Sequence, residues 1–176
     1  MNNAFFIILL FTASLSCKKE NNTPRINQEI LFQVEYVNYA WGHQHHCILI
    51  DSSGNVWRYN LLENWHFVNL YGYISDNDMK ENLQKSELTS IKIEKDTLLK
   101  YLNKLVIASH GKLTEPKHEG NDMGVVTYSG FFYDFNKKRY KEVLINQFGD
   151  ISIENESKAA SEILNWLKNI NKLSVK

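Results

Sequence analysis

Three of the six histidines in the chain fall within four positions, at His43, His45 and His46. Imidazole nitrogens are common ligands of Zn²⁺ and Cu²⁺, and residues two apart on a β-strand point to the same face. His43 and His45 therefore have the spacing needed to hold one metal ion, with Cys47 next on that face. Other residues that could complete such a site are His110, His118, Glu35 and Asp51. The cluster predicts either a zinc or copper site or a group of polar side chains at a solvated loop edge.

The same segment carries large aromatic residues beside a glycine, at Tyr39, Trp41 and Gly42. Tyr and Trp offer wide, rigid contact area at low entropic cost, and glycine permits a sharp turn. The segment therefore predicts a recognition surface that continues onto the following strand. The residues assigned to this candidate surface are Tyr39, Trp41, Gly42, His45, Trp57 and Tyr59. The alternative is that Trp57 and Tyr59 belong to a core, where such side chains pack equally well.

The sequence gives less support for a catalytic site than for a metal site or a recognition surface. The sequence contains no Gly-x-Ser-x-Gly, no His-Glu-x-x-His and no phosphate-binding loop of Gly and Lys. Cys47 beside His46 does not make a catalytic pair, because neighbours on a strand face opposite ways. Cys47 is followed by Ile48, Leu49 and Ile50, which predicts a buried thiol. No catalytic residue is assigned, and a small envelope hydrolase is the third functional alternative.

The amino-terminal stretch predicts where the protein works. An apolar run over 4–11 is followed by small and polar residues, then by Cys17 and the charged Lys18-Lys19-Glu20. The run is too short to span a bilayer, which takes about 20 apolar residues. The arrangement resembles the lipobox of bacterial lipoproteins, in which the cysteine is acylated and becomes the new amino terminus. The alternative is a plain leader or buried helix in which Cys17 is incidental.

The lipobox resemblance divides the chain into three parts. These are a signal peptide over 1–16, a lipidated cysteine with a flexible tether over 17–27, and one domain over 28–176. The domain is expected to be held to a membrane through lipid on Cys17, at the periplasmic face of the outer membrane or at the cell surface. Because Cys17 is committed to lipid, Cys47 has no partner for an intramolecular disulfide.

Charge limits the class of partner. The 20 Lys and Arg residues balance the 20 Asp and Glu residues, which gives a formal net charge of zero. Nucleic-acid binding depends on a net basic face that neutralises phosphates, so a nucleic-acid partner is not expected.

Strands and helices are predicted from hydrophobic periodicity and from turn and cap residues. Strands are expected over 30–37, 46–51, 55–60, 125–135 and 140–148, and helices from a Ser75 cap to about 86, from an Asp96 cap to a stop at Gly111, and over 156–171. This order lacks regular alternation of strand and helix. It predicts an α+β domain whose mainly antiparallel sheet is built from two hairpin regions and covered by two or three helices.

A resemblance covers most of the mature chain. The residues that carry it are Phe32-x-x-Glu35-Tyr36-x-Asn38-x-Ala40-Trp41-Gly42-x-x-His45, then Ile50-Asp51-x-x-Gly54-x-Val56 and Thr127-Tyr128-Ser129-Gly130. This pattern resembles a group of small Bacteroidota lipoproteins that have no assigned activity. We therefore expect a lipid-anchored envelope protein that acts as a binding, inhibitor or immunity-type accessory module. A metal-binding lipoprotein that uses His43, His45 and His46 is the second alternative.

Overall fold

The computed structural model describes residues 27–60 and 64–174. The predicted signal peptide over 1–16, Cys17 and all but the last residue of the predicted tether lie outside the described residues. Within them the chain forms one mainly antiparallel sheet with helices packed on it, so the predicted α+β class is confirmed.

The elements follow one another along the chain in an irregular order. The strands are β1 (Ile30–Asn38), β2 (Gln44–Asp51), β3 (Asn55–Asn60), β4 (Tyr73–Ser75), β5 (Glu87–Lys92), β6 (Lys117–His118), β7 (Val125–Asp134), β8 (Arg139–Gly149) and β9 (Ile151–Glu154). The helices are α1 (Asp76–Gln84), α2 (Lys95–Ala108) and α3 (Lys158–Ser174).

The sheet joins two antiparallel regions. Across the described part of the chain the strand order is β5-β3-β2-β1-β7-β8-β9-β6, and β4 pairs with β8 outside this order. The first region is β1, β2 and β3, and the second is β7, β8 and β9. They meet where β1 pairs with β7, from Phe32 opposite Gly130 to Val37 opposite Val125.

Helices α2 and α3 cover one face of the sheet. Their apolar residues pack with alternate residues of β1 and β2 in a core that includes Phe32, Val34, Ile48, Ile50, Leu98, Leu102, Leu105, Ile163 and Leu167. Gly130 allows α2 to approach β7 closely. A Cβ atom at position 130 would lie 2.4 Å from Cδ1 of Leu105, which is shorter than a real carbon contact.

The opposite face is covered by α1 and by the connection over 64–72. Its apolar core includes Ile30, Cys47, Leu49, Tyr59, Trp65, Met79, Phe131 and Tyr140. The connection is tied to α1 by a reciprocal pair of hydrogen bonds. The side chain of Asn82 donates to the carbonyl of His66 at 2.7 Å and accepts from its amide at 3.0 Å. No helix in the described ranges is long and apolar enough to cross a membrane.

Residues 51–55 have the sequence Asp-Ser-Ser-Gly-Asn, which is typical of a short hairpin turn, and they form the turn between β2 and β3. The carboxylate of Asp51 accepts from the amides of Ser53 and Asn55 and from the indole nitrogen of Trp57, at 2.9, 2.8 and 2.8 Å. Gly54 has a φ of +83°, the left-handed conformation expected for it. One side chain therefore holds the turn together.

Some element predictions are confirmed and others are wrong. Ser75 caps α1 as predicted, since its hydroxyl accepts from the amide of Asp78 at 3.1 Å. Asp96 does not cap α2, because the helix begins at Lys95 and Asp96 lies in its first turn. Gly111 does not end it, because α2 already ends at Ala108. The short strands β4, β5, β6 and β9 were not expected from the sequence.

Candidate binding surface

The segment with the densest group of aromatic and histidine residues forms the tip of the β1–β2 hairpin. The two strands stay paired up to Asn38 opposite Gln44, which leaves residues 39–43 as the loop. Gly42 has a φ of +95°, a conformation that favours glycine. The predicted sharp turn at Gly42 is therefore present.

Asn38 fixes this loop from inside. It is 6% exposed, and its side-chain oxygen accepts from the amide of Ala40 at 2.8 Å. Its side-chain nitrogen donates to the hydroxyl of Tyr36 at 3.1 Å and to the carbonyl of Asp122 at 3.2 Å. The loop is thus bonded both to its own strand and to the segment before β7.

Two large aromatic side chains project from the fixed loop. Trp41 is 78% exposed and Tyr39 is 67% exposed. The ring of Tyr39 stacks on that of His43 with centroids 4.9 Å apart and planes within 5°. The ring of Tyr39 is therefore partly ordered by that of His43.

Beneath the loop, His45 is completely buried among other rings. Its ring lies 4.8 Å from Tyr59, 5.3 Å from Trp65 and 5.2 Å from Phe67, measured between centroids. Nε2 of His45 lies 2.8 Å from a carboxylate oxygen of Glu35. A buried polar ring needs such a partner, and the pair fixes the orientation of the imidazole.

A continuous series of ring contacts joins the loop to the connection over 64–72. It runs from Tyr39 through His43 and His45 to Phe67, with centroid distances of 4.9, 6.0 and 5.2 Å. Phe67 is 44% exposed. We call the exposed group the aromatic surface; its members are Tyr39, Trp41, His43 and Phe67.

The six residues that the sequence assigns to a binding surface differ in their exposure to solvent. Tyr39, Trp41 and Gly42 are exposed, whereas Trp57 is half-buried and holds Asp51. His45 and Tyr59 are 0% and 1% exposed. These two can support the aromatic surface from below, but they cannot touch a partner directly.

The three clustered histidines lie on both faces of the sheet. His43 and His45 share a face, as their spacing predicts, with ring centroids 6.0 Å apart. His46 lies on the other face, where its ring stacks on Tyr36 and its Nδ1 is bonded to Asn60. Within the described residues, no three His, Cys, Asp or Glu side chains gather in a way that could hold a metal ion. Zinc or copper binding stays a prediction.

Glu35, Glu142 and the thiol of Cys47 lie on the same face of the sheet as His45. Ser129 donates a hydrogen bond to Glu142. Burial raises the pKa of Glu142 and the nearby charge of Glu35 raises it further, while the bond from Ser129 opposes the shift. Burial, followed by the charge of Glu35, also raises the pKa of Cys47 well above its ordinary value. The thiol is 2% exposed, so the predicted burial of Cys47 is confirmed.

Three features of this region were not expected from the sequence. They are the Glu35–His45 pair, the Ser129–Glu142 pair and the contribution of Phe67. One signal was present, because Gln33 and Glu35 alternate with apolar residues of β1 and so share a face with His45. Phe67 belongs to an irregular connection, where no periodicity predicts its direction.

Comparison with protein-family models gave no match, and searches of curated proteins and of solved structures gave none either.

Proposed function

We propose that this protein is a lipid-anchored binding protein of a bacterial cell envelope, of the inhibitor, immunity or accessory kind. It would hold another protein or envelope component through the aromatic surface. The observation that carries the proposal is the exposure of Trp41 and Tyr39, at 78% and 67%, on a loop whose backbone is fixed by Asn38.

The physical basis of the proposal is the high contact energy of exposed rings. Tyr and Trp are enriched among the residues that dominate binding energy at protein interfaces. A loop that is already ordered loses little conformational entropy on binding, because its rings need not be immobilised again. The stacked pair of Tyr39 and His43 and the buried support from His45 meet this condition.

The direction in which β1 runs supports the same function. Strand β1 enters the sheet at Ile30 and reaches the loop after Asn38, a length of 9 residues. At the usual rise per residue this places the two ends about 30 Å apart. If lipid on Cys17 holds the chain, the aromatic surface lies at the end of β1 that is remote from the anchor.

Affinity capture from detergent-solubilised envelopes tests the proposal. We expect the lipidated protein to retain a specific partner, and Trp41→Ala to lose at least about tenfold in retention, since such central residues are commonly worth about 2 kcal/mol or more. Phe135→Ala is the matched control, because Phe135 is 62% exposed and lies near the opposite end of the sheet.

Stability measurements separate binding from folding. Because Trp41 is largely exposed, its removal should change the free energy of unfolding by no more than about 0.5 kcal/mol. A partner that stays bound equally to Trp41→Ala and Tyr39→Ala would contradict the assignment of the aromatic surface, as would the absence of any retained partner.

A further inference from the structure

Two turns near the amino-terminal end of the domain expose large apolar side chains. The turn between β7 and β8 carries Phe135, which is 62% exposed. The turn before β4 carries Leu70 and Tyr71, which are 102% and 85% exposed. Single exposed apolar residues are ordinary on a protein surface, whereas a group of them indicates an interaction.

Strand β4 joins the two turns and sets the distance between them. The amide of Asp76, directly after β4, donates to the carbonyl of Lys138 at 3.0 Å. The carbonyl of Gly72, directly before β4, accepts from the amide of Glu142 at 2.8 Å. Four residue steps separate Gly72 from Asp76, which corresponds to about 13 Å along a strand. The two turns therefore lie close enough to rest on one flat surface.

The turn between β7 and β8 is positively charged. Residues 134–139 contain three basic side chains and one acidic side chain. Asp134 accepts from the amide of Lys137 at 3.1 Å and lies 3.9 Å from Nε of Arg139. Lys137 and Lys138 are exposed, and neither forms an ion pair within the described residues. The two ammonium groups are therefore available to an anionic partner.

The chain enters the domain beside these turns. The side chain of Gln28 donates to the carbonyl of Phe131 at 2.7 Å and accepts from the amide of Tyr133 at 3.0 Å, just before the β7–β8 turn. Cys17 precedes Asn27 by ten residues, and a chain of that length spans at most about 36 Å. If Cys17 carries lipid, the entry point of the domain stays within this distance of the bilayer.

We propose that the two turns form a membrane-contact surface that rests on the anionic head groups of the bilayer to which the protein is anchored. The members of this surface are Leu70, Tyr71, Phe135, Lys137 and Lys138. The apolar side chains would enter the interfacial region, while the ammonium groups would bind lipid phosphates. The inference rests on the proposed lipid anchor. It also directs the aromatic surface away from the bilayer, because the hairpin tip lies at the other end of β7.

The contact depends on attachment of the protein to the membrane. A lysine beside an anionic bilayer strengthens binding by about fivefold, so two lysines and three apolar side chains hold a free domain only weakly. A short covalent link raises the local concentration of the surface to the order of millimolar, which makes a weak contact populated.

Paramagnetic relaxation in lipid nanodiscs tests the proposal. Residues 17–176 are coupled through Cys17 to a maleimide phospholipid, and Cys47 does not compete because its thiol is 2% exposed. The discs contain phosphatidylcholine, phosphatidylglycerol and a trace of lipid with a gadolinium head group. We expect the amide NMR signals of residues 70–71 and 135–138 to lose the most intensity, and those of residues 40–42 to lose the least.

Charge variants test the role of the two lysines. Lys137→Gln/Lys138→Gln should lower the equilibrium constant for contact about thirtyfold, which is the product of the two single effects. Native protein on discs of phosphatidylcholine alone should show a similar loss. Lys100→Gln/Lys112→Gln is the matched control, because both lysines are exposed and lie on or after α2, and it should leave the relaxation pattern unchanged.

Three results would each overturn the inference. These are strongest relaxation at another surface, equal relaxation on neutral discs, and native relaxation in Lys137→Gln/Lys138→Gln. Because the coupled phospholipid replaces natural acylation, the outcome does not depend on whether the cell acylates Cys17, which uptake of labelled palmitate measures separately. Capture of a partner through Trp41 is also independent, since it is performed in detergent without a bilayer.

Discussion

At the scale of single residues, two carboxylates between the sheet and its α1 side are each bonded to a partner, whereas Nδ1 of His45 and Nε1 of Trp65 are buried without a hydrogen-bond partner among the described residues. Glu35 is bonded to His45, and Glu142 to Ser129. Burying a carboxylate disfavours its charged form unless opposite charges or donors compensate. Glu142 has one hydroxyl donor and a neighbouring negative charge, and its pKa is raised accordingly.

The raised pKa of Glu142 predicts a specific pH dependence of stability. The pKa of Glu142 is higher in the folded protein than in the unfolded chain, so protonated Glu142 favours folding at acidic pH. This contribution to stability is lost as the pH rises through the pKa of the folded state. Glu142→Gln keeps an oxygen that can accept from Ser129 but cannot ionise. We therefore expect the variant to gain stability relative to the native protein as the pH rises from about 4 to about 7.5, measured by denaturant unfolding.

Glu87→Gln is the control for this measurement, because Glu87 is exposed on the edge strand β5. We expect a change within about 0.5 kcal/mol at both pH values. A Glu142→Gln variant that is less stable at neutral pH than at acidic pH, relative to the native protein, would contradict the prediction.

At the scale of elements, the contact between α2 and β7 determines how closely the helices approach the sheet. Gly130 and Leu105 meet there, and Leu105 is completely buried.

Gly130→Ala should lower the free energy of unfolding by about 1–3 kcal/mol, the usual cost of overpacking a core. The physical reason is that the new Cβ would lie 2.4 and 2.6 Å from the two Cδ atoms of Leu105. Gly120→Ala should cost less, because its added Cβ would meet the flexible end of the exposed Met123. Denaturant unfolding measures both.

A double variant tests whether the cost arises from this contact. Because Leu105→Ala removes the obstructing atoms, the loss in Gly130→Ala/Leu105→Ala should be smaller than the sum of the two single losses. Additive losses would show that the strain at position 130 has another origin.

The sequence predicts elements well where one face is buried and less well at the edges. Strands β1, β2, β3, β7 and β8 lie in the middle of the sheet, and their apolar residues reflect the core that they contact. Among the strands of the described residues, β5 pairs only with β3, and β6 only with β9. Such strands bury few side chains, so their sequences carry little periodicity.

At the scale of the whole molecule, the aromatic surface lies at the end of β1 that is remote from Ile30, where the strand enters the sheet. We propose from the lipobox resemblance that Cys17, which precedes β1 in the chain, is lipidated. A mature bacterial lipoprotein carries several acyl chains, and each buried CH₂ contributes about 0.8 kcal/mol to membrane binding.

Cys17→Ala should abolish acylation and leave the precursor uncleaved, because the thiol is the acceptor of the lipid. Uptake of labelled palmitate and the electrophoretic mobility of the protein measure the two effects. Cys47→Ala is the matched control and should still incorporate palmitate, since its thiol is buried in the folded domain. Labelling of Cys17→Ala at the native level would contradict the lipobox assignment.

The candidate site was predictable only in part. Trp41, Tyr39 and the turn at Gly42 could be identified from residue type and local spacing. The burial of His45 and Tyr59 could not, because it depends on Trp65 and Phe67, which reach them across the fold from an irregular connection.

The sequence by itself determined the fold class, the central strands and the turn between β2 and β3, because each follows from local periodicity or turn chemistry. Only the tertiary structure decided which polar residues form pairs, which aromatic rings stay exposed and how closely α2 approaches β7. These properties depend on contacts between residues far apart in the chain, such as Ser129 with Glu142 and Gly130 with Leu105. No local pattern specifies such contacts.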